Sequence, residues 1–464
     1  MRIQLDRGGV RFMLLAGFLT AMFLLGGSAR DDAQSLVFLR PLSVIFLALG
    51  IALLPPGSLR ENRLAIGLAL ALPLIILLHL LPLPPEVWRG LPGREFVWQI
   101  GEVTRIEQPW RPISLVPFRT WNSFWAMFAP LAAFVLALGV SQEQRRKTIY
   151  VVALIILASG VLGLLQSIGG TGNGFYLYQV TNADSAVGLF ANRNHQAMLL
   201  AIAFPVVAAA ASVAKGSKEA ARPKLWLAIG AGVMIVPFLL VTNSRAGLLL
   251  GTLGIALALL VYRDPAAQLQ DRRKTAKLLY RWAGFAVVAA GLALTVVLVG
   301  RESSLQRLAS WETGEDLRFR VWGPIADAAW TYFPVGSGFG TFVETYKIIE
   351  PDAYLKPQHL NHAHNDWLEI LLTGGVPALV LALAVIGFLG REAIAAFVRG
   401  PDLSHADGVM ARLGAAILVI LVLGSAYDYP LRVPSMASLF AVGAVWILQS
   451  RTRRKILQSP AERP

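Results

Sequence analysis

The chain has no cysteine among its 464 residues. That excludes disulfides, cysteine nucleophiles, iron–sulfur clusters and thiolate zinc sites. It also suits loops exposed to an oxidising compartment. Charge is scarce as well: Asp, Glu, Lys and Arg make up 15% of the residues, against about 25% in a soluble domain. What the chain has instead is apolar sequence. Hydrophobic residues account for 55%, the mean hydropathy is +0.58, and spans of roughly 17–25 mostly apolar residues recur along its whole length. Between Gly300 and Asp366 lies the largest hydrophilic segment, about 65 residues, too short for an independent core. The formal net charge of +14 does not point to nucleic acid, because no Lys/Arg-rich face has aromatics interleaved. No period of 20–50 residues marks a repeat architecture.

These features describe an all-α, polytopic membrane protein forming one integral membrane domain over 1–464, with about 12 transmembrane helices. The expected spans are about 11–28, 36–54, 64–83, 121–140, 149–167, 195–214, 225–242, 246–262, 283–300, 367–390, 413–427 and 435–449. The basic start and small residues Gly27, Ser28 and Ala29 also fit a signal peptide, but the many later spans favour a first transmembrane helix. With the N-terminus inside, roughly 26 of the 42 Lys and Arg fall in inner loops, as the positive-inside rule requires. The segments 84–120, 168–194 and 301–366 then lie outside. The last is a large outer loop between helices 9 and 10. Within it, Leu317–Phe333 has Phe319, Trp322, Ile325, Ala326 and Ala329 spaced for one helix face. "PVGSGFGTF" follows, where Pro334 and glycines 336, 338 and 340 mark a tight turn.

Ionisable residues at the edge of a bilayer are costly and mark sites. Four outward clusters stand out. "GLFANRNHQA" carries Arg193, Asn194 and His195. "VTNSRAGLLLG" carries Arg245 in a turn of a few residues, with Asn243 or Ser244 as a cap. "NHAHNDWLEILLTGGVP" carries His362, His364, Asn365, Asp366 and Glu369 ahead of a long apolar run. A helix starting near His364 sets Asn365 with Glu369, and His362 with Asp366, at i, i+4 spacing. "SAYDYPLRVP" carries Asp428 and Arg432, either a surface ion pair or part of the same cavity. Arginines suit a phosphate, whose oxygens the guanidinium binds two at a time. A histidine suits general-base work near neutral pH. A metal bound by His359, His362, His364 and Asp366 is the competing reading, but no HExxH-type spacing supports it. Arg40, inside the second span, is the main charge at midplane depth.

"PLPPEVW", "WRPISLVP", "GLFANRNH", "NSRAG", "GFGTF", "AHNDWLEILLTGGVP" and "DYPLR", in that order from about Leu81 to Ala444, resemble the O-antigen ligase / O-antigen polymerase family. The resemblance implies a GT-C-like helical membrane fold in the bacterial inner membrane with its active site facing the periplasm. It implies glycosyl transfer from undecaprenyl diphosphate to an acceptor, either lipid A–core or a growing glycan, as in O-antigen, lipopolysaccharide or exopolysaccharide synthesis. It implies no metal and no cofactor. The ligase pattern of His, then Asn, then nine residues, then Gly is met by His364, Asn365 and Gly375, although Ala378-Leu379 stands where that pattern has Gly-Thr. The family's diphosphate-binding arginines map onto Arg193 and Arg245.

The expected site therefore has His364 as base and Asn365 or Glu369 orienting its imidazole. Arg193 and Arg245 lie on the diphosphate, Arg318 and Arg320 reach in from the outer-loop helix, and Asn194, His195, Asp366, Asp428 and Arg432 line the cavity. The opposing reading is a polysaccharide or lipid-linked oligosaccharide flippase. It calls for broken or charged midplane helices and related halves, neither of which is evident.

Overall fold

The computed structural model describes residues 7–170, 174–183, 185–213, 218–263, 316–355, 359–398 and 403–458. Helices dominate: α1 (Arg7–Leu25), α2 (Leu36–Ala52), α3 (Arg63–Leu78), α4 (Pro117–Ala126), α5 (Phe128–Gly139), α6 (Gln142–Gly169), α7 (Arg193–Val213), α8 (Lys218–Leu240), α9 (Arg245–Val261), α10 (Asp316–Thr331), α11 (Phe342–Ile349), α12 (Asp366–Val398), α13 (His405–Gly424) and α14 (Pro434–Gln458). Seven helical stretches are long and apolar enough to cross a membrane: α1, α4 with α5, α6, α7, the Pro223–Leu240 part of α8, α12 to Phe397, and α13. Shorter apolar helices are α2, α3, α9 and Pro434–Ser450 of α14. Every expected span overlaps one of these except 283–300, which lies outside the described residues. The protein is thus a helical, multi-pass membrane protein.

Two helices begin well before their apolar runs. α13 starts at His405 rather than near residue 413 because Ser404 caps it: the Ser404 hydroxyl accepts a hydrogen bond from the Asp407 backbone N–H at 3.2 Å and donates to the Asp407 carboxylate at 2.6 Å. α6 likewise begins at Gln142, a charged turn ahead of its apolar stretch. Apolar length marks the hydrocarbon-facing part of a helix, and caps mark its true start.

In the apolar windows of α7 and α13, 83% and 72% of the residues are buried inside the protein, against 22–28% for α1, α8 and α12. The first two form the centre and the others leave an apolar face outward, as for spans packed on one side and wetted by lipid on the other. Among the described residues the exception to all-α is a pair of two-residue strands, β1 (Pro82–Leu83) and β2 (Arg111–Pro112), antiparallel with Pro82 opposite Pro112.

One end of the bundle is closed by backbone crossings. Ser337 and Gly338 donate their N–H groups to the carbonyls of Leu372 and Thr373, and Val376 donates to Pro334, all at 2.9 Å. The turn read from "PVGSGFGTF" is therefore a clasp on α12. α12 is kinked at the clasp: Gly375 adopts φ 65°, ψ −163°, and a Cβ there meets the Pro334 carbonyl oxygen at 2.3 Å. Only glycine fits, which accounts physically for the Gly of the His-Asn-x9-Gly pattern. Ile325 and Ala329 of α10 are buried as expected, Trp322 is half-buried, and Phe319 stays exposed.

Arg94 fastens the 84–112 segment to the same clasp. Its guanidinium is buried and donates to the carbonyls of Pro92 (2.8 Å), Ile113 and Gly336 (2.9 Å). Burial pulls its pKa down to about 10, so it stays charged near neutral pH. Arg94→Met removes three hydrogen bonds, one of them to the buried Gly336 carbonyl, and is expected to cost about 3 kcal/mol. Thermal unfolding of the detergent-purified protein measures this, and an unchanged midpoint contradicts the clamp.

Candidate functional site

The helix that opens the His-rich motif starts at Asp366, two residues later than expected. Asn365 is its capping residue: its Oδ1 accepts from the backbone N–H of Trp367 (3.1 Å) and Leu368 (3.2 Å). Neither histidine is helical, and His364 takes a left-handed φ of 49°. Ala363 between them is pinned, its N–H donating to Glu369 Oε2 at 2.8 Å and its carbonyl accepting from Trp322 Nε1 at 3.1 Å. The two imidazoles consequently serve two different carboxylates.

His364 Nδ1 lies 3.1 Å from Asp428 Oδ1. Asp428 is buried, and its other oxygen accepts from Asn194 Nδ2 at 2.6 Å. Asn194 in turn accepts from the Ser244 hydroxyl at 2.8 Å, which caps α9 by accepting from the Gly247 N–H. This chain of bonds draws together the first turns of α7 and α9, where Arg193 and Arg245 sit half-buried. His195 Nε2 is 3.9 Å from Asp428 Oδ1. Three separated stretches of sequence, carrying His364, Asn194 with His195, and Ser244, are thus linked through the Asp428 carboxylate.

The second cluster differs from expectation. Glu369 does not orient His364. Its Oε1 lies 3.0 Å from His362 Nδ1 and 3.2 Å from Arg432 Nη1. Asp366 accepts from Arg432 Nε at 2.9 Å and from the Ser425 hydroxyl at 3.0 Å. Asp428 and Arg432 accordingly do not pair with each other: the turn between α13 and α14 sends Asp428 to one cluster and Arg432 to the other. Burial works against the charge on Arg432, but Glu369 and Asp366 outweigh it and hold its pKa above the ordinary value. Asn365 does not orient His364 either, since its side chain caps α12.

Tyr429 separates the clusters, and sequence reading missed it. Its ring centroid is 4.3 Å from that of His362 and 5.0 Å from those of His364 and His195. Also missed were Ser159 and Gln166, polar residues in the apolar span α6 that hold the approach to Arg193. Gln166 Oε1 accepts from the N–H groups of Val187 and Gly188, and Ser159 Oγ accepts from that of Leu189. Polar groups inside a span were the available signal. Arg320 is exposed on α10, and the side chain of Arg318 lies outside the described residues.

A cavity of about 600 Å³ adjoins the second cluster. Its polar end carries four arginines (Arg30, Arg40, Arg119, Arg432) and four carboxylates (Asp31, Asp32, Asp366, Glu369) with His362 and Asn122, and mostly apolar residues of α2, α3, α5, α12 and α14 line the rest. His364, Asp428, Arg193 and Arg245 do not line it; they lie beyond Tyr429. The site therefore holds two distinct side-chain clusters, of which one lines the cavity. Among the described residues no group of three or more His, Asp or Glu is placed to hold a metal ion, because His362 and His364 go to separate carboxylates.

The site is a buried His–carboxylate network with arginines gathered at one end of a multi-pass helical bundle. Residues 230–383 match the family described as O-antigen ligase, and that match supports the O-antigen ligase/polymerase family for the chain. The match takes in Arg245, His364, Asn365, Asp366, Glu369 and Gly375, and supports a glycosyl-transfer role in O-antigen biosynthesis. No curated protein matches the chain.

Proposed function

We propose that the protein transfers a glycan from a polyprenyl diphosphate, of the undecaprenyl type, to an acceptor hydroxyl at the periplasmic face of the inner membrane. The observation that carries this reading is Asp428, which joins His364 to Asn194 and, through Ser244, to the starts of α7 and α9. Helix N-termini and arginines favour anions, so Arg193 and Arg245 hold the diphosphate. As the bond between the sugar's anomeric carbon and the phosphate oxygen breaks, its electron pair goes to that oxygen, and the arginines stabilise the growing charge. The acceptor oxygen bonds to the anomeric carbon and gives its proton to His364. Asp428, bonded at Nδ1, fixes the ring and stabilises the imidazolium, which leaves Nε2 for the acceptor. No step calls for a metal or a nucleotide, and a chelator is expected to leave transfer by the purified protein unchanged.

Arg245→Lys keeps the charge but loses the forked hydrogen bonds. Transfer is expected to fall about 10–100-fold, or roughly 1.4–2.7 kcal/mol, at unchanged membrane level. Near-normal transfer by this variant contradicts a role on the diphosphate. The acceptor is read from lipid-bound glycans in a deletion strain: full-length polymer left on the polyprenyl carrier indicates a ligase, single repeat units a polymerase.

A further inference from the structure

The helix Glu95–Val103, in the segment between β1 and β2, divides its surface three ways. At 3.6 residues per turn, Arg94, Val97, Trp98 and Gly101 fall on one side. That side packs on the protein: Arg94 and Gly101 are buried, and Val97 and Trp98 are half-buried. Glu95, Gln99 and Glu102 form a second stripe, exposed and polar. Gln99 Nε2 donates to Glu95 Oε1 at 3.0 Å, and Trp98 Nε1 donates to Glu102 Oε1 at 2.7 Å. Phe96, Ile100 and Val103 form the third stripe, wholly apolar yet 56%, 46% and 83% exposed.

The protein holds that third stripe outward. Arg94 fixes the start of the helix to the clasp through the Gly336 carbonyl. Arg89 lies over the Trp98 ring, 4.9 Å from its centroid. Past the helix the chain folds back, and the Ile106 N–H donates to the Gly101 carbonyl at 3.1 Å. Gln108 then packs so close to Gly101 that a Cβ there meets its Nε2 at 2.3 Å. With these contacts on one side, the helix cannot roll to bury Phe96, Ile100 and Val103.

What covers the stripe follows from where the segment begins and ends. The chain leaves the apolar helix α3 at Leu78 and enters the membrane-length stretch of α4 and α5 at Pro117. The two ends are tied together by the β1–β2 pair, by the Ser114 N–H on the His79 carbonyl at 2.9 Å, and by Trp88 Nε1 on the Pro112 carbonyl at 2.8 Å. The segment is a closed excursion whose base stands at the edge of the bilayer. α4 carries the same kind of face: Phe118, Trp121 and Trp125, at i, i+3 and i+7, are exposed where the chain starts its crossing. Aromatic side chains so placed sit at headgroup level. Residues 84–112 hold four Arg and four Glu, so attraction to anionic headgroups does not hold the segment there. Burial of the apolar stripe does.

We infer that the helix Glu95–Val103 lies in the membrane–water interface at the site end of the bundle. Phe96, Ile100 and Val103 enter the lipid, and Glu95, Gln99 and Glu102 face water. Residues 84–112 are then a fixed collar on the lipid surface rather than a loop in free solution. The inference does not rest on the transfer reading.

Because the chain has no cysteine, a spin label can be placed at single positions. Phe96→Cys, Val103→Cys and Gln99→Cys are labelled in nanodiscs of phosphatidylethanolamine with phosphatidylglycerol. Power saturation then compares collisions with oxygen, which concentrates in hydrocarbon, and with a water-soluble nickel chelate. Labels at Phe96 and Val103 are expected to meet oxygen several-fold more than chelate, and the label at Gln99 the reverse. The pattern is expected to persist in phosphatidylcholine. All three positions are exposed, so the variants are expected to keep the wild-type unfolding midpoint, and Ile100→Cys replaces either apolar position that does not. Chelate-dominated collisions at all three positions overturn the inference. Shielding of Phe96 and Val103 from both reagents puts protein on the stripe, from this chain or a second copy, and overturns it too. A pattern seen only with phosphatidylglycerol overturns the apolar basis of the contact.

Discussion

His364→Ala is expected to lose about 10²–10⁴-fold in glycan transfer, the usual cost of removing a general base, with binding of the lipid-linked donor retained. The dyad geometry sharpens this. His364 is held by Asp428 at 3.1 Å, so Asp428→Asn is expected to lower the transfer rate as well, by weakening the hold on the imidazolium, and to shift its pH profile. His359→Ala is expected to be mild, as among the described residues no carboxylate bond fixes that exposed ring. His362→Ala is not a neutral control, because that ring is held by Glu369 and lines the cavity. Full-rate transfer by His364→Ala with loss in His362→Ala would move the base across Tyr429 into the second cluster.

The second large effect is on stability. Arg432 is the cation for two nearly inaccessible carboxylates: the Asp366 and Glu369 side chains are 4% and 1% exposed. Arg432→Leu leaves both without their arginine, with His362 still on Glu369, and removing one member of a buried ionic group costs about 3–5 kcal/mol. Neutralising the acids together, as Asp366→Asn with Glu369→Gln in the Arg432→Leu background, is expected to recover part of the loss, since apolar or neutral replacements of a whole buried group are often tolerated. Thermal unfolding in detergent separates the cases. A single Arg432→Leu variant as stable as wild type contradicts the ionic cluster.

The spans were legible because crossing a bilayer imposes about 20 apolar residues on each helix, and that signal survives averaging. Helix starts were not: α13 begins at a polar capping turn that no apolar count detects. In the candidate site, the residue types and their collection at one end were readable from charges at span edges. Their partners were not. Asp428 and Arg432, four apart, invited a local pair, yet Asp428 joins residues 64 and 234 positions away, and Arg432 joins Asp366, 66 positions away. Sequence spacing predicts contacts inside a helix, but these residues sit in a turn. Glu369 was assigned to the wrong histidine for the same reason, because the helix begins after both. Arg40 was visible as a lone charge in an apolar run; that its guanidinium reaches Asn122 was not.

The most direct measurement incubates the purified protein with a glycan on undecaprenyl diphosphate and a lipid-linked acceptor, and quantifies glycosylated acceptor and freed undecaprenyl diphosphate together. The account predicts equal amounts of the two products, unaffected by chelator and abolished by His364→Ala. Donor consumed without glycosylated acceptor, or lipid-linked glycan moved between leaflets with its diphosphate bond intact, would contradict it.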